Sequence, residues 1–318
     1  MKRRLFLGLM ALAPLAFAQP NDYPTRPIKM IVPFTAGSSS DTVGRFIAQQ
    51  LSSALGQTVF VENQPGAEGR IGLMAVKNAP GDGYTVLLAT WSNLSVNPVL
   101  VKDLPYDALK DFKPVAGATR SMLGIVVPAN SKLKTLADLV ATAKKEPKAV
   151  NFGTFAAGYR LATEWFSNLA GVRFTNVPYK STSQMNTDLM GNQIDVAMDG
   201  MTSLTTLLKA GRLRVLAVTG ETRHPEFPEV PTIKESGFPE FAIYGWSALY
   251  VRSETPDDVT ARLVEAMSKV LASQPSKDFA KKIGSEMMTG SPAAMKTFQE
   301  NEIATFRRVA EAAGLTAQ

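Results

Sequence analysis

Short apolar runs alternate with stretches of helical period along most of this chain. Ile28 to Val32 is apolar enough for a buried strand, and Pro33 stops it. A small-residue turn with Gly37, Ser38, Ser39 and Ser40 leads into Asp41. From there Val43, Ile47, Leu51 and Leu55 recur at four-residue spacing, which predicts a helix over about 41–55 with Ser39 or Ser40 as its cap. Gly56 ends it, and Thr58 to Val61 reads as a second strand. A glycine-rich turn (Gly66, Gly69, Gly72) opens a second helix, and Tyr84 to Ala89 is a third strand. Alternation of this kind predicts an α/β fold with a largely parallel sheet.

An irregular passage through Asn97-Pro98 and Leu104-Pro105 separates this block from another. There, strands are expected at 124–127, 150–152, 175–177, 194–198 and 214–218, with helices at 135–144, up to about 169, 183–189 and 202–210. Thr135 caps the first of these helices, with Asp138 three residues on. The turn Gly153 to Tyr159 repeats the strand–turn–helix device of the first block. After Gly220 the chain is proline-rich; a strand over 243–251 follows, then helices over 256–271 and 292–313, Pro256 suiting a first helical position. No fixed-period repeat and no low-complexity tract is present.

Composition alters this picture mainly at the N-terminus. Lys2, Arg3 and Arg4 precede the uncharged run Leu5–Phe17, which ends in Ala16-Phe17-Ala18 before Gln19. This is the form of a secretory signal over residues 1–18, cleaved after Ala18, and it predicts a periplasmic destination. Its apolar run is shorter than the roughly 20 residues of a spanning helix. The paired arginines fit twin-arginine as well as general export. Removing the three cations lowers the net charge from +6 to +3, so basicity gives no reason to expect nucleic acid. The 318 residues contain no cysteine, which excludes thiol catalysis and thiolate metal sites. One histidine, His224, leaves only carboxylates for a metal, so no metal is expected. Neither a phosphate-loop nor a dinucleotide fingerprint occurs, and no cofactor is expected.

Two turns therefore hold the candidate chemistry. The first N–H groups of a helix lack internal partners, so Phe34, Gly37, Ser38, Ser39, Ser40 and Asp41 form either an anion site or a simple helix cap. Asp41 suits the cap reading and opposes an anion unless its carboxylate turns away. The second turn contains Thr154, Phe155, Ala156, Ala157, Gly158, Tyr159 and Arg160. Arg160 either pairs with a carboxylate or lies on a solvated helix face. Asp199, at the carboxyl end of a strand where α/β ligands sit, either caps a neighbouring helix or accepts a bond from the ligand. Trp91 and Trp246 read as core or interface residues. A hydrolase using Ser38, Ser39 or Ser40 is the alternative from another class, but no Gly-x-Ser-x-Gly elbow or lysine partner accompanies them.

Ordered motifs extend along the whole chain. They are Tyr23-Pro-Thr-Arg-Pro-Ile28, Val32-Pro-Phe-x-x-Gly-x-Ser-Ser-Asp41, Val61-Glu-Asn-x-Pro-Gly66, Asp82-Gly-Tyr-Thr85, Leu104-Pro-Tyr-Asp107, Asp111-Phe-x-Pro-Val115, Val177-Pro-Tyr-Lys180, Gly211-x-Leu-Arg-x-Leu-Ala-Val-Thr219 and Val230-Pro-Thr232. In these the chain resembles the Bug family of periplasmic solute receptors, the receptors of tripartite tricarboxylate transporters. The resemblance implies a two-lobed, type II-like periplasmic binding fold, each lobe a mixed sheet flanked by helices. One lobe would comprise 19–122 and 221–318, the other 123–220, with a hinge between. It implies a monomeric, non-catalytic receptor that closes on a small carboxylate and serves an integral-membrane permease of the tripartite type, or alternatively the sensor kinase of a two-component system. The grip would come from Phe34–Asp41 and Thr154–Arg160, with Thr90, Trp91, Asn93 and Asp199 completing the lining. This chain departs from the family at Thr35, Ala36 and Ser38, and its second turn is bulkier, with Trp91 in place of a smaller polar residue. The bulkier lining extends the expected solutes to aromatic or ring carboxylates.

Overall fold

The computed structural model describes residues 23–317; the expected signal and its cleavage point lie outside them. The first strands and helices form where the period predicts: β1 (Ile28–Val32), α1 (Ser39–Leu55), β2 (Val59–Asn63), α2 (Arg70–Lys77) and β3 (Thr85–Thr90). β1 lies between β2 and β3, parallel to both. The α1 stripe Val43, Ile47, Leu51 and Leu55 is buried, each such side chain contributing about 1.5–3 kcal/mol relative to exposure. The cap of α1 is Ser38, whose hydroxyl accepts from the Asp41 N–H; Ser39 and Ser40, expected as caps, are its first helical residues.

The passage that looked irregular contains a π-helical turn over 92–96, the short α3 (Asn97–Leu100) and then most of a long strand, β4 (Phe112–Pro128). Only 124–127 of β4 had a strand signal. Pro114, Gly117 and the polar pair Arg120-Ser121 mask the rest, and irregular register beside Pro114 and Gly117 accommodates them. β4 is the element that joins the molecule. Its residues 112–122 pair antiparallel with β9 (Tyr244–Arg252), and residues 123–128 pair with β7 and β8 of the second half.

That second half comprises α4 (Leu136–Lys145), β5 (Asn151–Phe155), α5 (Ala156–Ala170), β6 (Thr175–Tyr179), α6 (Thr182–Met190), β7 (Val196–Gly200), α7 (Met201–Lys209) and β8 (Leu213–Val218). The Thr135–Asp138 capping box of α4 is formed as expected. The strand order is β2-β1-β3-β9-β4-β7-β5-β6, with β8 and the two-residue β10 (Glu286–Met287) also on β4. α8 (Asp257–Ala272), α9 (Gln274–Lys282) and α10 (Pro292–Ala312) complete the chain; α9 and β10 had no counterpart in the sequence reading.

The proline-rich return, expected to join the first half at 221, packs on the second half up to about Ile243. Val218 bridges Thr232, and Phe241 lies 4.6 Å from the Trp165 ring of α5. Its pairing is a single bridge, so no period-two pattern announces it. Thr219 then ties the two chain crossings together: its hydroxyl accepts from the Leu123 N–H and donates to the Ile243 carbonyl.

Candidate functional site

A cavity opens where the carboxyl ends of β1, β3 and β7 face the two crossing strands. Its free volume is about 50 Å³. Phe34 and Ser38–Ser40 line it from the β1–α1 turn, and Thr90, Trp91 and Ser92 from the end of β3. Thr119 and Ser121 of β4 and Gly245, Trp246 and Ser247 of β9 form its floor. The second half contributes Phe155 and Tyr159, Thr182, and Gly200 with Thr202, from the starts of α5, α6 and α7. Four helices thus begin at one small space. Neither α5 nor α7 has a side-chain cap of its own, and the start of each borders the cavity, so the positive dipole ends of both helices lie beside it. Among the described residues no lysine, arginine or histidine lines it. The Ser39 hydroxyl is buried without a partner, which is costly unless a ligand satisfies it.

The β1–α1 turn is built around Asp41. Its carboxylate accepts the Gly37 N–H at 2.9 Å, the Asn63 amide at 2.9 Å and Arg45 Nε at 3.0 Å. The Asn63 amide also donates to the Phe34 carbonyl. Gly37 sits at φ +80°, open to glycine and strained for most other residues. Burial alone would raise the Asp41 carboxyl, but the bonds from Arg45, Gly37 and Asn63 outweigh it and hold the group below the usual range. The carboxylate therefore faces away from the cavity and does not oppose an anion there.

The second turn differs from expectation. β5 runs through Phe155 and α5 begins at once at Ala156, whose φ of +62° makes the corner. The cap position is filled by Phe155, which has no hydrogen-bonding side chain. In its place Ser92, from the first half, accepts the Gly158 N–H at 3.2 Å. Of the seven residues expected from this turn, Phe155 and Tyr159 reach the cavity. Thr154, Ala156 and Arg160 instead line an adjoining space of about 470 Å³, together with Phe34 and Phe155, whose rings lie 5.3 Å apart, one from each half. Ala157 is buried, and Gly158 is pressed against Ser92 and Trp91.

Asn93 and Asp199 lie behind the cavity wall. Asn93 is fully buried, accepting from Thr90 and donating to the Glu68 carbonyl. Asp199 is also fully buried, accepting from Asn186, Ser203 and the Gly200 N–H. Burial pushes its carboxyl up to about 6 against those bonds. The floor residues Thr119 and Ser121 were missed because β4 was not read as a strand there, and Ser247, on a strand that was expected, carries no local sign that it faces a cavity. The polar alternation of Thr119 and Ser121 is the signal a longer strand assignment would have used. Trp246, read as a core residue, lines the floor while its indole N–H donates to Glu302 of α10. Burial pushes the Glu302 carboxyl up to about 7 against that bond. His224 lies outside the cavity; the Glu226 N–H donates to its Nδ1 and its Nε2 contacts the Gly284 carbonyl.

A cavity lined by hydroxyls and aromatic rings, with no charged side chain among the described residues, between two α/β halves joined by crossing strands, defines a two-lobed solute-binding protein. Comparison with known proteins agrees. The family described as "tripartite tricarboxylate transporter family receptor" matches residues 43–315. A Bordetella bronchiseptica protein of the UPF0065 group is 36% identical over 98% of this chain and 93% of its own length. The R. palustris protein Rpa4515, solved with adipate, superposes with a TM-score of 0.90 at 32% identity, over 93% of this chain and 100% of that one. The periplasmic binding protein BugD superposes at 0.88 with 30% identity, over 93% and 100%. The chain belongs to the receptor family of the tripartite tricarboxylate transporters, the Bug-type periplasmic solute-binding proteins. No described helix is long and apolar enough to cross a membrane.

Proposed function

We propose that this protein, exported by its N-terminal signal and released after Ala18, captures a small carboxylate and presents it as a monomer to the membrane permease of a tripartite transporter. The halves act as lobes that close about the chain crossings at Leu123 of β4 and at Ile243, a hinge motion of the usual repertoire. The observation that carries this reading is the set of four helix starts and the partnerless Ser39 hydroxyl around a cavity without cationic side chains. Fixed N–H dipoles hold an anion without a full counter-charge. The adipate of Rpa4515 is a carboxylate of this kind. Here the rings of Phe34, Phe155, Trp91 and Tyr159 pack on one another across the cleft. They occupy the space they were expected to offer a ligand, which favours a short aliphatic acid over an aromatic one.

The same cavity argues for binding without turnover. Ser38–Ser40 have no histidine or lysine among the lining residues to act as general base. A thermal-shift screen of mono- and dicarboxylates on the mature protein tests the reading. A narrow class should stabilise the protein and be recovered unchanged; turnover of a stabilising compound refutes it. Because Ser38 is the cap, replacing Ser39 and Ser40 with alanine leaves α1 intact. That variant should bind the best hit at least about tenfold more weakly while melting as the wild type does.

A further inference from the structure

A second cavity, of about 340 Å³, lies beside the first. Ser121 lines both, and the bond between the Thr202 and Ser285 hydroxyls, 2.8 Å, stands between them. Met122 of β4 and Tyr244 of β9 form its floor, the 224–226 loop of the second half one wall, and α9 with Met287 of the first half the other. His224 Nε2 meets the Gly284 carbonyl at 3.2 Å and joins those walls.

Its charges are unevenly satisfied. Arg120 is paired with Glu286 at 2.7 Å, and Glu226 Oε1 with Lys209 at 3.0 Å. Lys277 and Lys281, one helical turn apart on α9, line the cavity and form no ion pair among the described residues. Glu226 Oε2 is buried without any partner, a state that costs free energy until a donor reaches it. The walls thus hold free cations on one side, an unmet acceptor on another, and methionine and tyrosine surface between them.

We propose that this cavity is a second ligand site, taking a small aliphatic carboxylate that also bears a hydroxyl or ammonium donor. The carboxylate would meet Lys277 and Lys281, the donor would meet Glu226 Oε2, and the aliphatic body would lie on Met122 and Met287. The volume suits a molecule of that size. Because its walls come from both halves, an occupant bridges them.

Methionine methyl NMR tests this directly, since Met122 and Met287 line this cavity and, among the described residues, no methionine lines the first. The methyl-labelled full protein is titrated with 2-hydroxy-4-methylpentanoate, leucine and hexanoate. Saturable shifts of both methyls at millimolar concentration are expected, with the two donor-bearing acids at least about fivefold tighter than hexanoate. Lys277→Ala with Lys281→Ala, both exposed and remote from the first cavity, should weaken that binding about fivefold or more. Glu226→Gln should abolish the preference over hexanoate, and Ser39→Ala should leave the shifts unchanged. The absence of saturable shifts overturns the site. So do shifts that survive loss of both lysines, or equal binding of hexanoate to the wild type.

Discussion

Asp41→Asn is the most informative single change in the first turn. The amide retains an oxygen for the Asn63 bond but presents an NH₂ to the Gly37 N–H and to Arg45, both of which now donate to Oδ2. The Gly37 bond to a charged acceptor contributes about 1.5–3 kcal/mol. The Arg45 pair, with its guanidinium half exposed, adds at most about 1 kcal/mol. The expected loss is therefore about 2–4 kcal/mol, from a total that is typically about 5–15 kcal/mol. The variant should fold, but with the Pro33–Ser38 turn no longer pinned. Since about 1.4 kcal/mol is tenfold in affinity, loosening that turn should weaken carboxylate binding about ten- to a hundredfold. Urea unfolding and calorimetric titration with the best thermal-shift hit measure the two losses. The pH dependence is a further check. A depressed folded pKa contributes stability that is present above the unfolded value of about 3.9 and lost as pH falls through the folded one. Wild type and variant should therefore differ at neutral pH and converge in acid. Equal affinity, or a stability gap that persists in acid, refutes the role given to Asp41.

Gly158→Ala would place a Cβ 2.5 Å from Ser92 Oγ and 2.7 Å from the Trp91 ring, an overpacking of about 1–3 kcal/mol between the halves. Affinity should fall about tenfold or more, and small-angle scattering should show a more open molecule; an unchanged radius with full affinity would contradict this. Glu302, held near 7 by burial, keeps its proton in the folded state while the unfolded chain releases it above about 4.3. Stability should accordingly fall as pH rises from about 4.5 to 7 and then level off, with Asp199 adding the same sign up to about 6. Glu302→Gln should flatten that slope and raise the melting temperature above pH 7; parallel profiles for the two proteins would dismiss the assignment.

The alternation of strand and helix, the α1 stripe and the Thr135 capping box were legible because they depend on neighbours within a turn or two. So was the position of the Ser38–Ser40 turn at the start of α1, since a helix start with small polar residues advertises itself locally. The ordered motifs extended that reading to the whole chain and to its receptor class. Three features were not local. The full length of β4 depends on β9, about 130 positions away in its register (Arg120 opposite Trp246), which holds Pro114 and two register shifts in a strand that propensity alone would break. The cavity depends on four helix starts drawn from distant parts of the chain, so Thr182, Thr202 and the serines of the crossing strands acquire meaning only together. The cap of α5 comes from Ser92 across the cleft, because Phe155 cannot supply one. Local periodicity is a property of backbone geometry and can be read from neighbours; a binding site is a convergence of unsatisfied groups, and convergence exists only once the chain has folded.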